Sequence, residues 1–194
     1  MKRIAVIGPS GAGKSTLSRQ LGKILDLPVI HLDAEHWRPG WNEPPMPWWI
    51  RRTRELAQRD RWIIDGNFGN TMGERLSYAN AVVFLDFSRW RCLWQVIKRV
   101  ITHRGRTRPD MGRGCPERWD WEFIEYVFNY NDDHRPKVLR RLAALDGRKR
   151  VFVLRTRREV DAFVAALQTS TGTESLAPGV DDRTKRVMNS VISS

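Results

Sequence analysis

The stretch GPSGAGKST, residues 8–16, decides how this chain folds. It follows four apolar residues, Ile4-Ala5-Val6-Ile7, and leads into Leu17, Leu21, Ile24 and Leu25, which share one face of a helix. Strand, glycine loop and helix in that order, with the spacing Gly8-x4-Gly13-Lys14-Ser15, make the Walker A pattern. The glycines let successive backbone N–H groups turn inward, and the helix that follows adds the positive end of its dipole. Such a cradle holds phosphate. Gly8, Ser10, Gly11, Ala12, Gly13, Lys14, Ser15 and Thr16 are therefore the expected nucleotide-binding residues. Lys14 is expected on the β and γ phosphates of ATP, and the Ser15 hydroxyl on Mg²⁺.

The rest of the chain repeats the alternation of short apolar strands and helices. Strands are expected at 28–32, ending at Asp33; at 62–64, closed by Asp65-Gly66; at 81–85, ending at Asp86; and at 151–154, followed by Arg155. Helices are expected at 14–25, 48–60, 88–104, 119–145 with a break near Pro136, and 158–168. With the strand before the loop, these make a three-layer α/β/α domain around a five-stranded parallel sheet, spanning 1–168. Residues 169–194 turn to Ser, Thr, Gly and Asp and read as a disordered tail. In such sheets ligands gather at the carboxyl ends of the strands. Here those ends carry the glycine loop, Asp33, Asp65, Asp86 and Arg155.

Composition bounds the partners. The 194 residues are 41% hydrophobic, enough for one core, and no apolar run approaches a membrane span of about 20 residues. The N-terminus is too short in apolar residues for a secretory signal, so the expected location is the cytoplasm. The net charge is +12, and 27 of the 34 cationic residues are arginine, the side chain that grips phosphate bidentately. Anionic partners follow: nucleotides, or nucleic acid through a basic surface. Cys92 and Cys115 are too few for a disulfide framework and read as free thiols.

Two carboxylates compete for the magnesium side, Asp65 and Asp86. In kinase-type phosphate-loop proteins the third strand lies beside the loop strand, which favours Asp65; Asp86 reads better as a helix cap or turn. Asp33 has two readings. It orients or deprotonates an acceptor hydroxyl, or it caps a structural element. His31 and Asp33 would share one side of a strand, and HLDAEHW is set aside as a metal cluster because His36 falls in a loop. Residues 36–49, rich in Trp and Pro, form part of an acceptor-side flap over about 33–60. Between two long helices lies a glycine- and arginine-bearing lid, about 104–118. Arg99, Arg104, Arg106, Arg108, Arg113 and Arg135 surround or face it and are suited to the charge of a transferring phosphoryl group. Lys14, Asp33, Arg104, Arg106, Arg108 and Arg135 are the candidate catalytic residues.

These stretches together resemble the adenylate-kinase-like P-loop kinases. Within them the chain is most similar to the bacterial DNA topology modulation proteins of the FlaR type. The likeness is carried by GPSGAGKST, PVIHLDAEHWRPGW, RWIIDGNF, VVFLDFSRWRC, RGRTRPDMGRGCPE and LRTRREVDAFV, from residue 3 to about 167. The resemblance implies a five-stranded nucleotide-kinase fold, ATP binding, Arg104, Arg106 and Arg108 as lid arginines, and Arg155 beside the adenine. It departs at DGNFG, where Gly69 stands at the position of the AMP-binding arginine of adenylate kinases. The acceptor therefore reads as another small nucleotide, nucleoside or hydroxyl compound. The expected activity is an ATP- and Mg²⁺-dependent phosphotransferase; the alternative is a nucleotide-gated DNA-associated regulator.

Overall fold

The computed structural model describes residues 1–145 and 149–173. In chain order the elements are β1 (Arg3–Ile7), α1 (Lys14–Leu25), β2 (Val29–His31), α2 (Leu32–His36), α3 (Met46–Ala57), β3 (Trp62–Asp65) and α4 (Gly69–Tyr78). They continue with β4 (Ala81–Leu85), α5 (Arg89–His103), α6 (Trp121–Asp133), α7 (Arg135–Ala143), β5 (Arg150–Leu154) and α8 (Arg157–Thr173). The sheet is five-stranded, ordered β2-β3-β1-β4-β5, and every pair is parallel. β1 is central, so the loop that leaves it opens at the middle of the carboxyl edge.

Side chains alternate across the sheet and split the core in two. Ile4 and Val6 face one layer with Leu17, Val96, Val127 and Val164, from α1, α5, α6 and α8. Ala5 and Ile7 face the other with Trp49, Leu56, Leu76 and Val138, from α3, α4 and α7. Both faces are covered, which is why the strands read as continuous apolar runs. Among the described residues no helix is long and apolar enough to cross a membrane.

Three expectations need correction. The second strand stops at His31 because its neighbour β3 ends at the paired position, Asp65, and offers no further ladder; Asp33 then falls on the short helix α2. α3 begins at Met46, two residues earlier than expected, with Pro45 as its N-cap and Pro47 in the first turn, where a missing N–H costs nothing. The break expected near Pro136 in the helix over 119–145 falls at His134, between α6 and α7, with Pro136 again in a first turn. α8 runs on to Thr173, so the expected tail is helical at its start; its remainder lies outside the described residues. α4 had no counterpart in the sequence reading. It starts on Gly69, carries Gly73 and is held by buried Met72, Arg75 and Leu76 rather than by helix propensity.

Candidate active site

The phosphate loop is shaped by close contact with α5. Gly11 has φ +84°, and a Cβ there would overlap the Cys92 carbonyl oxygen. Lys14 lies back along the loop, its Nζ donating to the carbonyls of Gly8 (2.9 Å) and Pro9 (3.0 Å). Burial pulls its pKa below the ordinary lysine value, against the attraction of Asp33 and Asp65. The Gly8 N–H donates to Asn67 Oδ1 (3.0 Å), a partner in the turn after β3. Arg75, fully buried, fixes that turn by donating to the carbonyls of Gly66 (2.9 Å) and Asn67.

Asp65 ends β3, and β3 lies beside β1, the strand order on which its choice over Asp86 rested. It is buried, and its Oδ2 meets His31 Nδ1 at 2.7 Å. Burial opposes charge on His31, but the hydrogen bond and charge of Asp65 outweigh it and hold the His31 pKa above its usual value. Asp86 does something else. Arg135 grips both its oxygens (2.6 and 2.7 Å), and Arg155 Nε stands 3.8 Å away. It is not the cap of α5, whose N-cap is Ser88. Asp86 thus anchors two arginines at the end of β4.

Asp33, on α2, feels Lys14, Asp65, Arg108 and Asp110. Burial raises its pKa above the usual carboxylate value, and Asp65 and Asp110 add to the rise while Lys14 and Arg108 oppose it. The turn to helix at Leu32 therefore left this carboxylate beside the loop lysine. Arg108 comes from the lid. It donates through Nη1 to Asp110 (2.8 Å) and through Nε to Glu117 (2.6 Å), and Arg99 of α5 pairs with the same Glu117 at 3.0 Å. Asp110 is buried and lies within reach of the Ser15 hydroxyl; burial raises its pKa, but Arg108 and Ser15 outweigh that and leave it below the usual value.

The site thus brings together Lys14, Ser15, Asp33, Asp65 and Arg108. It leaves Arg104 and Arg106 exposed at the base of the lid, where their main chains pair with Glu117. Arg135 belongs to α7 and to Asp86 rather than to the lid. Asn67, Arg75, Asp110 and Glu117 were not among the expected site positions, and His31 was considered only as a metal ligand. The paired acids and cations of RTRPDMGRGCPE were the available signal for Asp110 and Glu117; nothing in the sequence marked Asn67 or Arg75.

The lid is docked on the flap. Gly40 N–H donates to the Gly114 carbonyl (2.9 Å), Trp41 Nε1 to the Pro116 carbonyl (3.1 Å), and Cys115 Sγ to the Arg38 carbonyl (3.1 Å). A Cβ at Gly112 would overlap the Trp37 carbonyl oxygen. HWRPGW and PDMGRGCPE are therefore the two halves of one clasp. The tryptophans mostly build the flap: Trp37 contacts Trp41 and His36, Trp49 packs with His36 and Phe68, and Arg38 lies 4.3 Å over Trp48.

A cavity of about 160 Å³ lies between the phosphate loop, α5 and α8, bounded by Gly13, Thr16, Phe87, Arg91 and Arg157. Arg157 lines it, whereas Arg155, the residue expected beside the adenine, does not. A larger cavity, about 330 Å³, sits between α2 and α3. Its lining includes neither Asp33 nor any loop or lid residue, and its Arg52 is already paired with Glu35 at 2.8 Å.

A segment of 62 residues is 42% identical to the shikimate kinases of Pseudomonas fluorescens (strain Pf0-1) and Pseudomonas syringae pv. syringae (strain B728a). It is 31% of this chain and 34% of each relative, so the match spans about a third of their length. No family model matches the chain. A gluconokinase from Sinorhizobium meliloti 1021 superimposes with TM-score 0.50 at 21% identity, over 90% of this chain and 97% of that one. A shikimate kinase from Acinetobacter baumannii, solved in complex with shikimate, gives TM-score 0.50 at 14% identity, over 91% and 96%. The chain has the fold of these P-loop kinases. None of the relatives named here is a DNA topology modulation protein.

Mg²⁺ is the ion that this fold implies. Among the described residues no three His, Cys, Asp or Glu side chains converge closely enough to hold a metal by themselves. Mg²⁺ keeps several waters and takes most other ligands from the phosphates of its nucleotide, so it asks for only one or two protein oxygens. The residues present fit such an ion: Ser15 and Asp65 are the hard oxygen donors that would hold it.

Proposed function

We propose that this chain is an ATP- and Mg²⁺-dependent phosphotransferase acting on a small hydroxyl compound. One observation carries the reading: a carboxylate of raised pKa, Asp33, shares its electrostatic site with the loop lysine and with a lid arginine, Arg108. A kinase needs those three groups around a transferring phosphoryl.

Lys14 leaves the carbonyls of Gly8 and Pro9 and takes the β and γ phosphates. Bound Mg²⁺ would neutralise charge on the same oxygens, with Ser15 and Asp65 holding it. Asp33 accepts the hydrogen bond of the acceptor hydroxyl and takes its proton as the new O–P bond forms and the β–γ bridge breaks. Arg108 faces the developing charge, and the clasp of lid on flap keeps water out. Arg104 and Arg106, exposed at the base of the lid, and Arg135, held by Asp86, have no part in this arrangement. Arg155 and Asp86 support the strand end beside the base.

The test is ATP consumption across a panel of polyols, sugar acids, cyclic hydroxy acids and nucleosides. Shikimate and gluconate come first, because the similar enzymes are named for them. One compound is expected to stimulate turnover at least about 100-fold over background, and Asp33→Asn to remove that stimulation while ATP affinity stays within about threefold. Failure of every hydroxyl acceptor would overturn the reading. The +12 charge gives DNA a second place; its binding should fall with salt at a log–log slope near −0.9 per phosphate contacted. DNA affinity persisting at physiological salt, with no stimulated turnover, would favour the regulator.

A further inference from the structure

α5 and α6 are the two arms that carry the lid, and they run antiparallel. Arg89 pairs with Asp132 at 2.7 Å, the rings of Trp90 and Phe128 are 5.4 Å apart, and Arg99 lies 5.7 Å over Phe123. Each arm turns one apolar face to the core: Cys92, Val96 and Val100 from α5, Val127 and Tyr130 from α6. Each also turns large apolar groups to solvent. Trp90, Trp94 and Ile101 lie on one stripe of α5, and Trp121 begins α6 at the level of Ile101; these four are between 63% and 71% exposed. At about 150–250 Å² per aromatic side chain, the patch is on the order of several hundred Å², the size at which an exposed surface usually has a partner. A helix apolar on opposite faces is normally covered on both.

Charge says what covers it. α5 carries four cations, Arg89, Arg91, Lys98 and Arg99, and no carboxylate. α6 carries four carboxylates, Glu122, Glu125, Asp132 and Asp133, and no Lys or Arg. Arg89 and Arg99 are paired within the chain, whereas Lys98, Glu122 and Glu125 are exposed beside the tryptophans. An anionic membrane or a nucleic acid would meet the carboxylates of α6 as well as the cations of α5. A second copy of this chain, turned by a two-fold axis, meets neither conflict, because basic α5 lies on acidic α6 of its partner twice over.

We propose that the chain forms a two-fold dimer through the outer faces of α5 and α6, with Trp94 and Ile101 at its centre. The proposal does not depend on the phosphotransferase reading. It is tested by sedimentation velocity of the full chain at physiological salt, up to about 100 µM. A dimer is expected. Trp94→Glu with Ile101→Glu should leave a monomer, with far-UV circular dichroism unchanged. Lys98→Glu alone, and Glu122→Lys with Glu125→Lys, should each weaken association at least about tenfold. The three together should recover it to within about threefold, a result that loss of fold could not produce. A wild-type monomer at the highest concentration, a dimer indifferent to the Trp94 and Ile101 changes, or no recovery in the triple variant would overturn the proposal. So would a monomer that sediments with phosphatidylserine-containing vesicles at the same salt.

Discussion

The phosphate loop and the lid–flap clasp both approach Asp33, but they are built differently. Eight consecutive residues contain the loop, and its shape follows from backbone angles and one following helix. The clasp joins segments some seventy-five residues apart through main-chain carbonyls and one indole N–H. A local device is legible in a short window of sequence. A non-local one shows only as two distinctive strings whose connection is invisible until the chain folds. Glycine serves both in the same way: Gly11 lets α5 touch the loop, and Gly112 lets the lid touch the flap.

Breaking the loop should have the largest effect. Lys14→Ala is expected to lower kcat/KM by at least about 10³-fold and to abolish measurable ATP binding in calorimetry with Mg²⁺, while the circular dichroism spectrum is retained. Unchanged ATP affinity would remove the loop from the account.

Asp33 lies where the two regions meet, and its next effect separates function from stability. Its folded-state pKa is raised, so the folded chain binds that proton more tightly than the unfolded chain. The ionised group therefore costs stability above the ordinary carboxylate range, and the cost is relieved as pH falls through the raised pKa toward the unfolded value. Asp33→Asn should raise Tm near neutral pH, by roughly 2–4 °C if it relieves about 1 kcal/mol, while activity is lost. In the wild type, activity should fall on acidification with a midpoint above the usual carboxylate value. A lower Tm in Asp33→Asn at neutral pH would contradict the raised pKa.

Breaking the clasp should act on the acceptor and spare the nucleotide. Gly112→Ala forces a methyl onto the Trp37 carbonyl. It should raise the KM for the acceptor about tenfold and expose the lid to limited proteolysis, with ATP affinity within about twofold. An equal loss of both affinities would show the two regions to be one unit. Trp41→Phe removes one hydrogen bond to Pro116, and the expected cost is about 1 kcal/mol of clasp stability, seen as a two- to fivefold rise in acceptor KM.

The same contrast explains what the sequence revealed. The five strands, the sheet type and the candidates Lys14 and Ser15 follow from short-range pattern, because a strand and its closing turn occupy fewer than ten residues; Asp65 was preferred to Asp86 from the strand order of kinase-type phosphate-loop proteins. Asp33 was found for its strand end, although it stands on a helix. α4 escaped because its two glycines weaken every local signal, and burial of Arg75 against the 66–68 turn is a tertiary fact. The His31–Asp65 pair, thirty-four residues apart, needed the register of β2 on β3. Arg135 was assigned to the lid from its place in the chain, and the long-range partner Asp86 drew it elsewhere.

The position of Lys14 bears on how the proposed nucleotide would be gripped. Its ammonium already has two acceptors, so a triphosphate does not find a bare cation waiting; it must outcompete the carbonyls of Gly8 and Pro9 for the same protons. The enthalpy of that exchange is a difference between two bonded states and is smaller than the contact alone suggests. Lys14 thus ties down the loop it belongs to, and any anion that takes its ammonium must replace two carbonyl acceptors at once.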